Sequence, residues 1–230
     1  MPSWWPSWNA WPPNGRVGLA ELREASAADI PAMLEVFFHA IEDLDAKRGR
    51  PLQPRNAAPL EMHFGHLLET DPRSCYVADD HGRLIAVGIV LRRGSDAFLS
   101  FLFVEPAWQG KRIGSAVLDA CIRGCGPDLE RLATCAEANQ PVSTGLYAKL
   151  GMAPRTPVYL LRGSLANDAL PEPAAGIERH PVSAQAVAAL DHELMGYERP
   201  LDHAWWARDR HGVRFSDPQG AVLGYGYAHP

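Results

Sequence analysis

The sequence predicts an α/β protein with a central mixed sheet flanked by helices, followed by a partial second copy of the same arrangement. Three observations carry this. Ala97 to Val104 is a nearly unbroken apolar run with Phe98, Leu99, Phe101, Leu102 and Phe103, the signature of a strand covered on both faces. After Pro106 the apolar period becomes helical, with Ile113, Ala116, Val117, Ala120 and Cys121 at offsets 0, 3, 4, 7 and 8. Strand-like and helix-like stretches alternate throughout residues 17–163, as in a sheet with helices on its faces.

In chain order, residues 1–16 form an arm in which Trp4, Trp5, Trp8 and Trp11 stand among prolines, a composition that suits neither a helix nor a central strand. Docking of these indoles on a protein surface competes with an irregular start. A strand follows from Val17 to Glu24. Ser26 then caps a helix that runs towards Leu44, with Asp29 three positions on as in a capping box. Gly49, Pro51 and Pro54 break the chain, and a second helix covers Leu60 to Glu69 before Asp71-Pro72. Tyr76–Ala78 and Leu84–Leu91 flank Asp79-Asp80-His81-Gly82, which reads as a hairpin with a four-residue turn. The apolar strand comes next, then a helix from near Lys111 that Gly124 and Gly126-Pro127 stop. Leu129 to Ala136 supplies a strand, Pro141 to Leu150 a helix with Pro in its first turn and Gly151 at its end, and Val158 to Arg162 a closing strand.

Residues 164–177 are rich in Ala, Pro and Gly and read as a linker. Residues 178–230 look like the start of the first pattern. Tyr76 to Val90 aligns without gaps on Arg214 to Ala228, pairing Asp79 with Asp217, Gly82 with Gly220 and Gly88 with Gly226. The helical stretch Ser183 to Leu194 corresponds to Ala27 to Phe38, so the region reads as a truncated tandem repeat without a phosphate loop of its own.

Composition narrows the function. With 47% hydrophobic and 21% charged residues in 230, a sizeable core can form. A net charge of -5 without a basic tail argues against a nucleic-acid partner. No apolar run approaches the roughly 20 residues that span a bilayer, and the start lacks a signal-peptide pattern, so a cytoplasmic protein without a membrane partner is expected. Cys75, Cys121, Cys125 and Cys135 form no zinc-ligand spacing and read as reduced thiols, with no metal cofactor.

The chemistry concentrates where the apolar strand meets Gln109-Gly110-Lys111-Arg112-Ile113-Gly114 and the following helix. The free amides and partial positive charge of a helix start hold phosphate, and glycines let the backbone come close. The segment Leu102-Phe-Val-Glu-Pro-Ala-Trp-Gln-Gly-Lys-Arg-Ile-Gly-Ser-Ala-Val-Leu resembles motif A of the GNAT superfamily of N-acetyltransferases, with Arg112 in place of its middle glycine. Gln140-Pro-Val-Ser-Thr-Gly-Leu-Tyr-Ala-Lys-Leu-Gly-Met resembles the family's second signature, with Gln140 where asparagine is usual and Met152 where phenylalanine is.

The resemblance covers roughly Leu19 to Arg162 and implies the GNAT fold, with acetyl-coenzyme A as co-substrate and an amine acceptor, small molecule or peptide. It implies that the strand ending at Val104 splays from the strand ending near Ala136, leaving a wedge for coenzyme A. Leu102, Phe103 and Val104 would pair with its pantetheine arm as an added strand. Gln109, Gly110, Lys111, Arg112, Ile113, Gly114 and Ser115 would hold the diphosphate, and Gln140 and Tyr147 would line the other side. Arg112 still offers its N–H provided that its φ is negative.

The implied reaction is direct attack by the amine on the thioester, with a backbone N–H near Val104 as oxyanion donor. The resemblance places Tyr147, in the family's leucine-tyrosine position, at the departing sulfur. A phenol of pKa ~10 giving its proton to a thiolate of pKa ~8.5 works uphill by about 2 kcal/mol, which favours hydrogen bonding over proton transfer. Glu137 is the candidate general base and Glu105 its competitor. Glu42, Asp43 and Asp45 could attract a cationic amine or form a solvated face; His39, His63 and His66 read as structural or exposed. Two alternatives stand beside catalysis: an acyl-coenzyme A sensor, and a homodimer or lid element built from Trp205, Trp206, Tyr225 and Tyr227.

Overall fold

The computed structural model describes residues 16–17, 20–138, 140–159, 163 and 175–229. Residues 1–15 of the tryptophan-rich arm and nearly all of the expected linker lie outside them. The chain divides into a first unit ending at Arg155 and a second beginning at Thr156.

The first unit is one six-stranded sheet in the order β1-β2-β3-β4-β5-β6: β1 Arg16–Val17, β2 Ala20–Glu24, β3 Cys75–Asp80, β4 Arg83–Arg93, β5 Asp96–Val104 and β6 Arg131–Thr134. Neighbours run antiparallel except β5 and β6, which are parallel. The mixed α/β fold is therefore as expected. The expected strand from Val17 is instead two, because Val17 folds back onto Ala20.

Helices α1 (Ile30–Lys47) and α2 (Ala57–Thr70) cover one face, and α3 (Ile113–Gly124) covers the other. α4 spans Pro141–Lys149. A short 3-10 turn, Ala27–Asp29, precedes α1 and holds the capping box: the Ser26 N–H donates to Asp29 Oδ2 at 2.8 Å. Arg23 grips the same carboxylate at 2.7 and 2.9 Å and, with Ser26, holds its pKa well below the usual carboxylate range.

Two apolar cores result. Leu22, Ile85, Leu99, Val117, Cys121 and Ile122 are buried beneath α3, and Met33, Phe64, Leu67, Val77, Val87 and Ile89 beneath α1 and α2. The residues predicted to form the buried stripe of α3, Ile113, Ala116, Val117, Ala120 and Cys121, are each at most 2% exposed. α3 can approach β4 because residue 88 is glycine; a Cβ there would stand 2.6 Å from Val117 Cγ1 and 2.9 Å from Cys121 Sγ.

The β3–β4 turn is tighter than expected. Asp80 pairs directly with Arg83, leaving the two-residue turn His81-Gly82, both with positive φ (54° and 87°). That geometry matches the twist of the flanking strands, and Asp79 Oδ1 accepts the Gly82 N–H at 2.6 Å. At the other end, no strand forms at Val158 and Tyr159, both exposed, and residues 160–162 of the expected closing strand lie outside the description.

The second unit has a three-stranded antiparallel sheet, β7 (Glu178–Pro181), β8 (His211–Ser216) and β9 (Val222–Ala228), with helices α5 (Ala184–Met195) and α6 (Pro200–Trp206). Its order β-α-α-β-β is that of β2-α1-α2-β3-β4. The hairpin registers differ by one residue, however: Tyr76 faces Gly88, whereas the aligned Arg214 faces Tyr225 and Gly226 faces Val213. No helix among the described residues is long and apolar enough to cross a membrane.

Candidate functional site

β5 leaves β6 halfway along its length. Pairing runs from Asp96↔Arg131 to Leu99↔Thr134 and stops, while β5 continues to Val104. The break coincides with a β-bulge: Phe101 faces Ile89 and Leu99 faces Val90, so Ser100 is the extra residue on β5. A bulge bends its strand and ends regular pairing, which turns β5 away from β6 where a wedge was predicted.

The Glu105 N–H donates to Ile85 O at 2.8 Å. Strand alternation therefore aims the N–H and C=O of Val104 and Leu102 away from β4, towards the edge β6 has left. Among the described residues no strand pairs with that edge. Gln109 Nε2 donates to Val104 O at 3.1 Å, tying the loop to the strand end and leaving the Val104 N–H as the forward donor. The side chains of Leu102 and Val104 pack on the α3 core; Phe103 turns to the opposite face, 4.8 Å from Phe37 between ring centroids.

A 3-10 turn at Pro106–Trp108 leads into the loop. Gly110 has φ 76° and Arg112 has φ 64°. The condition of a negative φ, on which the Arg112 N–H was to serve the diphosphate, is therefore not met: Arg112 adopts the left-handed conformation that glycine would take, at a cost of roughly 1–2 kcal/mol. It also moves the helix start from Lys111 to Ile113, because a left-handed residue cannot belong to the helix. The Ala116 N–H to Arg112 O contact, 3.1 Å, is the first turn's bond. The amides of Ile113, Gly114 and Ser115 thus have no helical carbonyl to meet and point out of the helix start. Buried Ile113 anchors that start, while Lys111 and Arg112 are exposed, with Lys111 Nζ 4.4 Å over the Trp108 ring. A Cβ on Gly114 would stand 3.3 Å from Val104 Cγ2, so the glycine lets the helix start sit against the strand end.

Opposite this, β6 ends at Thr134 rather than Ala136, and the chain runs irregularly through exposed Glu137. Gln140 N-caps α4, its carbonyl accepting the Thr144 N–H at 3.1 Å and the Thr144 hydroxyl at 2.8 Å. Tyr147 is half-buried against the α3-side core. Burial pushes its phenol pKa up, opposed by a hydrogen bond with Thr134. A weaker acid is a poorer proton source for a thiolate but still a hydrogen-bond donor. Glu137 is ion-paired with Arg48 and lies 3.4 Å from Arg50, so protonating it would break both pairs.

The sequence reading missed a pair on the α1 side. His39 Nδ1 lies 2.8 Å from Oε1 of buried Glu105, 66 residues away in sequence. The acidic run is neutralised internally: Arg55 grips Glu42 at 2.6 and 2.9 Å, Lys47 meets Asp43 at 2.5 Å, and Arg50 stands 3.8 Å from Asp45. No short-range motif signals the His39–Glu105 pair, whereas Asp43 and Lys47 stand at helical i, i+4 spacing. Of the other histidines, His63 packs its ring 5.5 Å from Phe101 and His66 is buried.

The cysteines are free thiols. Burial pushes Cys75 up to about 12, Cys125 to about 11 and Cys121 well above its ordinary value, which removes them as nucleophiles at neutral pH. Among the described residues no group of three or more His, Cys, Asp and Glu is placed to hold a metal ion.

The model of the acetyltransferase (GNAT) family matches residues 38–152, half of the chain. No curated protein sequence matches. The crystal structure of a proposed acetyltransferase from Pyrococcus horikoshii superposes with a TM-score of 0.63 at 16% identity, over 87% of this chain and 68% of that one. PH1933 from Pyrococcus horikoshii OT3 superposes with a TM-score of 0.50 at 12% identity, over 61% of this chain and 92% of that one. At these identities the superpositions bear on the fold alone.

Proposed function

This chain belongs to the acetyltransferase (GNAT) family, and from that premise we propose that it moves an acetyl group from acetyl-coenzyme A to a primary amine, on a small molecule or a peptide. The observation that carries the proposal is the unpaired edge of β5 from Ser100 to Val104, opened by the bulge and closed below by four residue pairs with β6. The residues present fit the co-substrate: an open strand edge suits an amide-bearing arm, and three free amides beside Lys111 and Arg112 suit a diphosphate.

In this reading the outward N–H and C=O groups of Leu102 and Val104 receive the pantetheine arm, with Phe103 between them paired to β4. Gly110 to Ser115 hold the diphosphate, and Gln109 keeps the loop on the strand end. When bound, acetyl-coenzyme A supplies the acyl thioester. The Val104 N–H serves as the oxyanion donor, and Tyr147 as a hydrogen-bond donor to the departing sulfur. Gln140 starts the helix that presents Tyr147. We further read the second unit as a repeat of the β2-α1-α2-β3-β4 arrangement, supported by its shared element order.

The test is titration with coenzyme A, followed by thiol release from acetyl-coenzyme A with ethanolamine, spermidine, kanamycin and a tripeptide with a free N-terminus. Coenzyme A binding and release with at least one amine are expected. Absence of binding overturns the assigned site, and binding without release for every amine turns the reading towards a sensor. Tyr147→Phe should lower kcat about tenfold or more and leave the coenzyme A Kd within about twofold; equal turnover removes Tyr147 from the mechanism.

A further inference from the structure

We infer that His39, held by Glu105, takes the proton from the acceptor amine. This rests on the acetyl-transfer reading above. Glu105 directly follows Val104 and is 6% exposed, whereas the His39 side chain is 38% exposed. Glu105 faces the same side of the sheet as α1, which carries His39, and its Oε1 meets His39 Nδ1 at 2.8 Å.

A carboxylate accepts only, so neutral His39 carries its proton on Nδ1 and turns the lone pair of Nε2 outward. A buried carboxylate that fixes the tautomer and orientation of a partly exposed imidazole is an arrangement for proton removal. It stands one residue beyond the strand-end N–H assigned to the oxyanion.

The charged groups around the ring are few. Glu35 Oε2 is 3.6 Å from His39 Nε2, beyond hydrogen-bonding distance, and Arg55 holds it at 2.8 Å. Arg55 holds Glu42 on the same helix as well, and Arg83 of β4 stands 3.8 Å from Glu105 Oε2. Glu137, the other carboxylate considered, is engaged by Arg48 and Arg50. Proton removal at His39 Nε2 frees the amine lone pair. The amine nitrogen then bonds to the acyl carbon while the carbonyl π pair moves to oxygen, facing the Val104 N–H; return of that pair breaks the C–S bond, the surplus proton on nitrogen passes to the departing thiolate, and the imidazolium releases its proton to solvent. Glu105 acts through His39 and is a positioning residue.

The experiment uses the full chain and whichever panel amine releases most thiol. His39→Asn keeps a donor to Glu105 but cannot take a proton. It should lower kcat/KM for the amine by about 100-fold or more, leave the KM for acetyl-coenzyme A within about twofold, and remove the rise of kcat/KM with pH that the base contributes. In His39→Ala, added imidazole should restore part of the rate, which a merely structural histidine would not allow. Nitrogen-15 spectra of the resting protein should show His39 protonated at Nδ1 when neutral, and Glu105→Gln should move the proton to Nε2 and lower the rate as His39→Asn does. Coenzyme A affinity reports that each variant is folded. His39→Asn with a wild-type rate and pH profile, or a neutral Nε2–H tautomer in the wild type, overturns the inference while leaving acetyl transfer standing. A wild type that binds coenzyme A and acetylates no amine overturns both.

Discussion

The two units share an element order and differ in what lies at their centres. Beneath the sheet of the first are two apolar clusters; in the second, Val187 is the one buried apolar side chain among the described residues. Its interior is a polar network. Asp191, 2% exposed, accepts from Arg199 at 3.2 Å, from His203 Nε2 at 2.8 Å and from the Tyr225 hydroxyl, while His203 Nδ1 meets the Tyr227 hydroxyl at 2.8 Å. Trp206 packs its ring 5.5 Å from His203 with the Arg199 guanidinium 5.2 Å from it. The same strand and helix order can thus be held by burial or by satisfied polar groups.

The largest break in the second unit should follow Asp191→Ala, which strands Arg199, His203 and Tyr225 without their common acceptor. Removing one partner of a buried charged set costs about 3–5 kcal/mol. Hydrogen exchange in β8 and β9 should approach unprotected rates while β3 to β5 keep their protection.

The same network should set a pH window for that unit. Burial opposes ionisation of Asp191, but its hydrogen bonds with Tyr225, His203 and Arg199 prevail and its pKa is lowered. Its contribution is therefore present above the unfolded value of ~3.9 and lost as pH falls below it. Tyr225 is raised to about 12, by burial first and then by Asp191. Its contribution is complete below the unfolded value of ~10 and disappears as pH rises through about 12. Fluorine spectra of fluorotryptophan at Trp205 and Trp206 should report both limbs, and Tyr225→Phe should remove its part of the alkaline one.

The aligned pair Gly88 and Gly226 sharpens the contrast. Gly88→Ala should cost about 1–3 kcal/mol by overpacking against Val117 and Cys121. Gly226→Ala has open space around its new Cβ and should stay within about 0.5 kcal/mol, both read by urea unfolding. The smallest effect concerns the loop between β5 and α3 of the first unit. Arg112→Gly relieves a left-handed backbone, with φ 64°, and should stabilise by about 1 kcal/mol, visible as a higher urea midpoint at unchanged m-value.

Periodicity exposed what repeats locally. The stripe of α3, the apolar β5, the Ser26–Asp29 box and the Asp79 turn region were all legible because each signal lies within about a dozen residues. Boundaries were not: the β3–β4 turn closed to two residues, and β6 stopped at Thr134. Strand ends depend on pairing across the sheet, which no local pattern encodes.

The chain's own order of residues thus determined the strand-loop-helix from β5 to α3, the family and the mixed sheet. Tertiary structure alone decided three things: the bulge at Ser100 that opens the edge of β5, the positive φ of Arg112, and the meeting of His39 with Glu105. The reason is one of range. Amphipathic period and turn chemistry act between near neighbours, whereas register, strain and side-chain pairs across 66 residues arise only when separate elements pack on a common core.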